Sequence, residues 1–298
     1  MQISTSLFYD TAATRMSQMN QRASVLQTQI ATGKKIQQAS DDPNAASQIA
    51  ELDRKDADAA VYGTNLTMAG SLLDQASSVI SQINTQLTRA TELATQAGNG
   101  TQTDASRQSI GVELKSIVDA IVGLANSTNV RGQPLFGTPG GTQAVTANAD
   151  GSYAYATTNV SEVPIADGQT VQATESATRL FKMANGKDTL SVLSNLASAL
   201  QAGGDVSDTV SSALTDLKAG IDQVANVQAS VGARGARVDL QQQLLTTANT
   251  DRADLRQKLE SVDTTQAIVE LQQMMTALSA TQASFSKLSN LSLFDYLK

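Results

Sequence analysis

The chain has 298 residues and contains no Cys, no His and no Trp. That removes thiol and imidazole catalysis, His/Cys zinc sites and any disulfide framework. The formal charge of −7 lacks the basic footprint of a nucleic-acid binder, and no apolar run approaches the roughly 20 residues of a membrane span.

Only five Phe and five Tyr are present, so Ala, Leu, Val, Ile and Met carry the apolar side. Such a composition suits helices packed side by side over long distances. Residues 1–7 have neither the basic nor the apolar region of a cleaved signal peptide. Residence in the cytoplasm and export by a route without a cleaved signal are both compatible with that.

Ala12, Met16, Met19, Ala23, Leu26 and Ile30 recur at steps of four and three, the seam of a helix lying along a partner. Gly33 is placed to end it. Ser40-Asp41-Asp42-Pro43 starts the next helix, with Asp42 as N-cap and Pro43 at the first helical position, where its missing N–H costs nothing. From Leu66 through Ala69, Leu73, Ala76, Ile80, Ile83, Leu87, Ala90 and Ala94 the rhythm does not miss, and no Pro interrupts residues 44–97. A helix of that extent is about 80 Å long at 1.5 Å per residue. Gly98-Asn99-Gly100 reads as a turn, and Ile110, Leu114, Ile117, Ile121 and Leu124 line one face of a third helix.

The middle of the chain changes character. Three of the four prolines fall between 134 and 164, and short β-like runs such as Gly151–Thr157 sit between Gly and Pro punctuation. A small β-rich insert is expected here. A short helix through Leu190, Leu193, Leu196, Ala197 and Leu200 leads back to a long pattern. It runs from Val210 through Leu217, Val224, Val231, Val238 and Leu245 to Leu255, Leu259 and Val262. Ala267, Leu271, Met274, Leu278, Thr281, Phe285 and Leu288 form the last seam, followed by an apolar tail with Leu293, Phe294, Tyr296 and Leu297.

The expected fold is mainly α, a long antiparallel helical rod or coiled coil built from the N- and C-terminal segments, with a small β-rich insert. Three parts are expected: a terminal coiled-coil domain of residues 1–40 and 261–298, a helical rod of 41–137 and 180–260, and a surface domain of 138–179. Small Ala and Met side chains bury little area, while each ordered residue costs roughly 1–2 kcal/mol of backbone entropy. The terminal seams are therefore expected to be loose in a free chain and to order when many copies pack together.

Several charged groups invite a sharper reading. Asp41-Asp42 lacks the further ligands a metal needs, and capping explains it better. Glu51, Asp53, Asp56 and Asp58 interleave with Arg54 and Lys55, as on a solvated or subunit-facing helix surface with i,i+4 pairs. Arg234 and Arg237 have no phosphate-loop context and read as subunit or intra-rod ion pairs. The pairs Met16/Met19 and Met274/Met275 are adaptable packing material rather than ligands. No motif gathers a catalytic set, and neither enzyme activity nor a cofactor is expected.

Gln29-Ile30-Ala31-Thr32-Gly33-Lys34-Lys35-Ile36 with Ser40-Asp41-Asp42-Pro43, Leu87–Ala97 (LTRATELATQA) and Val231–Arg237 (VGARGAR) resemble signature segments of the bacterial flagellins and their hook-associated relatives. Asp42-Pro43, Gly132-Gln133-Pro134-Leu135-Phe136-Gly137 and the ending Leu291–Leu297 (LSLFDYL) are similar to the branch at the hook–filament junction. Gln2 and Gln133-Pro134 depart from that branch's pattern.

The resemblance implies a secreted structural subunit, exported through the flagellum's own type III channel and assembled with copies of itself into a tube. Hook-associated protein 1 would lie on one side, flagellin on the other, and an export chaperone would bind before secretion. It further implies terminal helices in an inner tube, with Ala12 to Ile30, Leu271, Met274, Leu278, Phe285, Leu288 and the tail from Leu293 to Leu297 in subunit contacts, and the insert facing solvent. Arg89, Leu93 and Glu113 match positions at which flagellins meet an innate immune receptor, although packing inside the assembly is the simpler role. A minor filament flagellin, or a cytoplasmic coiled-coil scaffold, would share the helical pattern.

Overall fold

A computed structural model describes residues 2–129, 131–138, 141–156 and 162–295. Among them the element order is α1 (Gln2–Thr32), α2 (Pro43–Ala97), α3 (Asp104–Ala125), β1 (Val145–Ala147), β2 (Tyr153–Tyr155), β3 (Glu162–Ala166), β4 (Gln169–Gln172), α4 (Ala177–Phe181), α5 (Thr189–Ala202), α6 (Ser207–Glu260) and α7 (Thr264–Asp295). The chain is mainly helical, as its periodicity predicts. It divides into a terminal unit, residues 1–57 and 248–298, and a central unit, residues 58–247. The divide falls inside α2 and α6 rather than at helix ends.

In the central unit the seam from Leu66 to Ala94 is almost fully withdrawn from water; Leu66, Ile80, Ile83 and Leu87 are 0% exposed. Each such side chain contributes roughly 1.5–3 kcal/mol of burial. Its partner is α6, running antiparallel. A Cβ placed on Gly63 would touch Leu245 at 3.6 Å, one on Gly70 would touch Val238 at 3.6 Å, and one on Gly98 would touch Val210 at 3.1 Å. Each step along α2 is matched by an equal step back along α6, so the register holds without a bulge or stutter. Val210, Leu217, Val224, Val227, Val231 and Val238 supply the facing stripe.

The third layer is α3 packed on α5. Their backbones come so close at Gly111 that an added Cβ would sit 2.9 Å from the Ala197 carbonyl oxygen. The helix α3 starts on Thr103, whose Oγ1 accepts from the Ser106 amide, and ends on Asn126. That asparagine also begins the next element. Its Oδ1 accepts from the amides of Ala144 and Val145 at 2.8 and 2.9 Å, and its Nδ2 donates to the Val145 carbonyl at 2.8 Å.

The β-rich segment is two separate antiparallel hairpins. In one, Val145, Thr146 and Ala147 pair with Tyr155, Ala154 and Tyr153. In the other, Glu162, Val163 and Pro164 pair with Gln172, Val171 and Thr170, with a bulge before Ala166 and a turn at Gly168, whose φ of +64° suits glycine. Ala144, Val145, Ile165 and Val171 join the same apolar core as α2 and α6. The hairpins thus have no core of their own. They are straps over the helical layers. The short helix α4 escapes periodicity analysis because five residues hold barely one turn. Thr157, at the end of the expected β run, lies outside the described residues.

Candidate functional site

The candidate site is the surface and seam of the terminal helices, where large apolar side chains face water. Within the terminal unit α1 and α7 pack together, and two contacts define their direction. The rings of Tyr9 and Phe285 meet edge to face at 5.3 Å, and Arg22 lies 3.7 Å from Glu270. The helices are therefore antiparallel, and the two seams face each other. Ala23 and Leu26 from α1 and Ala267 and Leu278 from α7 are buried. Ala12, Met16, Met19, Ile30, Leu271, Met274 and Phe285 are half-buried.

Most residues outside the seam are exposed, and among them are large apolar ones: Leu7, Val25, Ile268, Val269 and Met275. The α1–α7 pair closes on one narrow stripe. The backbone of α7 carries Leu288, Leu293 and Phe294, whose side chains, like Tyr296 and Leu297 entirely, lie outside the described residues.

The two halves of the unit are also joined backbone to backbone. Gly33, with φ +69°, ends α1, and its carbonyl accepts from the Val262 amide at 3.0 Å, while the Lys35 amide donates to the Glu260 carbonyl at 2.7 Å. Lys34 Nζ sits 2.6 Å from Glu260. The next helix starts as its composition dictates. Asp42 Oδ1 accepts from the Ala45 amide at 3.0 Å and Pro43 opens α2. Asp41 instead closes the turn that precedes the cap. Its Oδ2 accepts from the amides of Gln38 and Gln37, and these two bonds hold its carboxyl below the usual aspartate range. No cluster able to hold a metal ion occurs among the described residues.

The acidic run of α2, expected on a solvated or subunit-facing surface with i,i+4 pairs, is largely exposed and combines local pairs with pairs to α6. Glu51 does pair locally with Arg54 and Lys55. Asp53 and Asp56 instead reach across to α6. Asp56 takes Arg252 at 2.7 Å and Arg256 at 2.8 Å, and Asp53 takes Arg256 at 2.7 Å. These bonds, led by the one from Arg252, lower the Asp56 pKa. Leu255, expected in the seam, is 46% exposed because the inward positions of that stretch belong to Arg252 and Arg256.

Arg234 is an intramolecular anchor. It donates to the carbonyls of Gln172 and Thr174 at 3.0 and 3.1 Å and forms a tight ion pair with Glu175, which is 1% exposed. Arg237 reaches Gln169 at 3.4 Å. Spacing alone did not reveal Glu175. Nor did it reveal Tyr155, which stacks on Phe181 and donates to Asp188 at 2.5 Å, with burial raising its phenol pKa far above the ordinary value. Arg89 bonds Glu113 at 2.9 Å and Glu92 at 3.2 Å on the surface, while Leu93 beneath is buried.

Two of the grooves in the central unit lie beside the helical layers. One, of about 560 Å³, lies along α5 and the start of α6 with Lys187 paired to Asp216; the other, of about 470 Å³, lies between α2 and the loop through Arg131. Neither contains a nucleophile–base pair. No helix among the described residues is long and apolar enough to cross a membrane.

Residues 3–138 match the bacterial flagellin N-terminal helical region. Flagellar hook-associated protein 3 of Salmonella typhimurium is 28% identical over an alignment of 329 residues that takes in 99% of both chains. Its counterpart in Escherichia coli is 35% identical over 108 residues, 36% of this chain and 34% of that one. Among solved structures, flagellar hook associated protein-3 of Legionella pneumophila shares the fold with a TM-score of 0.65 at 13% identity, over 71% of this chain and 98% of that one.

Proposed function

From a chain that carries a bacterial flagellin N-terminal helical region and is similar end to end to hook-associated protein 3, we infer a structural, non-enzymatic component of the bacterial flagellum, and we propose that it forms the junction between hook and filament. The flagellar, structural reading rests on relatives that are themselves structural flagellar proteins. The junction reading is the finer step. The observation that carries it is the similarity to hook-associated protein 3 over 99% of both chains.

The terminal unit supports a mechanism in which assembly completes folding. A pair of helices joined along one stripe, with Leu7, Val25, Ile268, Val269 and Met275 facing water, gains most when further copies cover those faces. Folding of α1 and α7 is completed by assembly: the buried Ala23, Leu26, Ala267 and Leu278 hold the pair together, while the half-buried seam residues and the exposed apolar ones act as assembly contacts. Self-association into a tube is the first partnership. Hook-associated protein 1 on the hook side, flagellin on the filament side and an export chaperone before secretion complete it. The place of action is the cell exterior, at the hook–filament junction.

The test is deletion followed by electron microscopy of the cell surface. Hooks without filaments, with flagellin shed into the medium, are the expected outcome. Normal filaments on the deletion strain, or growth of long filaments from the purified protein alone, would overturn the junction assignment.

A further inference from the structure

We propose that the α2–α6 pair of the terminal unit is closed by an electrostatic clasp, and that its opening is governed by ionic strength rather than by apolar burial. The heptad rhythm on α2 runs Ala45, Ile49, Leu52, Asp56, and an aspartate occupies a position where the pattern calls for an apolar side chain. On the facing stretch of α6 the inward positions are Arg252, Arg256 and Leu259. The apolar stock of this stretch is small: of the α2 residues here only Ala45 and Leu52 are buried. The contrast with the fully apolar seam from Leu66 to Ala94 lies within one helix.

The charges form a continuous chain of contacts. Arg252 bonds Asp56, Asp56 bonds Arg256, Arg256 bonds Asp53 and approaches Glu260 at 3.6 Å, and Glu260 bonds Lys34 at 2.6 Å. The arginines are the sheltered members, with side chains 16% and 28% exposed, and the aspartates the wetter ones at 44% and 61%. Water therefore reaches the network, and salt screens it. Several coupled, partly sheltered pairs hold more than one exposed pair, which alone is worth little. A segment held this way closes at low salt and opens locally at high salt without disturbing an apolar core elsewhere. The clasp follows from the contacts within this chain and does not depend on the flagellar reading.

The experiment is amide hydrogen exchange on the full chain, read by mass spectrometry at about 0.05 and about 0.5 M salt. Peptides covering 43–57 and 248–260 are expected to exchange about five- to tenfold faster at high salt, while those covering 66–94 stay unchanged. Asp56→Asn at low salt is expected to reproduce the fast exchange of the same two segments. The paired variant Asp56→Leu with Arg252→Leu replaces ions by apolar side chains; it is expected to keep protection and to lose much of its salt dependence. Protection of 43–57 that ignores both salt and Asp56→Asn would overturn the clasp. So would a leucine pair as salt-sensitive as the unaltered chain.

Discussion

Glu175 and Arg234 are 59 residues apart in sequence and form a sheltered ion pair, with the carboxylate 1% exposed and the guanidinium 15%. The remaining carboxylate capacity is filled by the Ser176 amide at 3.0 Å and Arg179 at 3.2 Å. The pair ties the end of β4 and the start of α4 to the long helix α6. Glu175→Gln leaves Arg234 sheltered beside a neutral amide. Breaking a buried pair from one side costs about 3–5 kcal/mol, and the wetter Arg179 softens that here to about 2–4 kcal/mol. The check is urea unfolding, where the midpoint should fall with the slope unchanged.

Glycine substitutions should separate tight sites from open ones. At Gly111 an added Cβ meets the Ala197 carbonyl oxygen at 2.9 Å and Leu200 Cβ at 3.1 Å, so α3 and α5 must move apart. Gly111→Ala is expected to lose about 1–3 kcal/mol despite the better helix propensity of alanine. Gly232, in α6, has nothing within 4 Å of that point. Gly232→Ala should be stabilising by about 0.5–1 kcal/mol. Thermal unfolding of the two variants side by side makes the comparison.

The Tyr155 hydroxyl donates to Asp188 Oδ2 at 2.5 Å, and Asp188 Oδ1 caps α5 through the Ser191 amide at 2.9 Å. Tyr155→Phe keeps the stack on Phe181 but leaves one carboxylate oxygen short of a donor. A loss of about 1–3 kcal/mol is expected. Asp188→Asn should cost less, because the amide oxygen still caps the helix. Chemical denaturation orders the two variants.

Asp56 gives the terminal unit an acid-sensitive element. Its folded pKa is lowered, first by Arg252, so the folded state binds its proton less readily than the unfolded chain. The stabilisation is fully present above the unfolded value of about 3.9 and is lost as pH falls through the lowered folded value. Helicity lost on acidification below about pH 4 should therefore be smaller in Asp56→Asn than in the unaltered chain. Circular dichroism against pH tests the sign.

Assembly makes its own prediction about neighbouring residues on α1. Leu26 is 2% exposed in the single chain and Val25 is 43% exposed. Leu26→Ala should weaken the α1–α7 pair by about 2–3 kcal/mol. Val25→Ser should be within about 0.5 kcal/mol in the dilute chain, yet raise the concentration needed for assembly. Sedimentation of both variants over a concentration series distinguishes an intramolecular seam from an intermolecular face.

The helical elements were legible in the residues because period is a local property. Steps of three and four from Ala12 to Ile30, Leu66 to Ala94 and Ala267 to Phe285 name the faces that turn inward in the fold. Gly33, with its positive φ, and the Asp42-Pro43 start of α2 follow from single-residue conformational preference.

What only tertiary structure decided is which charges meet. A heptad ranks positions by face and says nothing about a partner two hundred residues away, so the meeting of Asp56 with Arg252 and Arg256 of α6 was not legible in the spacing. The hairpins show the same limit. Short alternating runs announced strands, but that Ile165 and Val171 would bury against the long helices, and Glu175 lock onto Arg234, depends on surfaces that exist only after α2 and α6 have paired. Periodicity is a property of the chain; charge complementarity is a property of the fold.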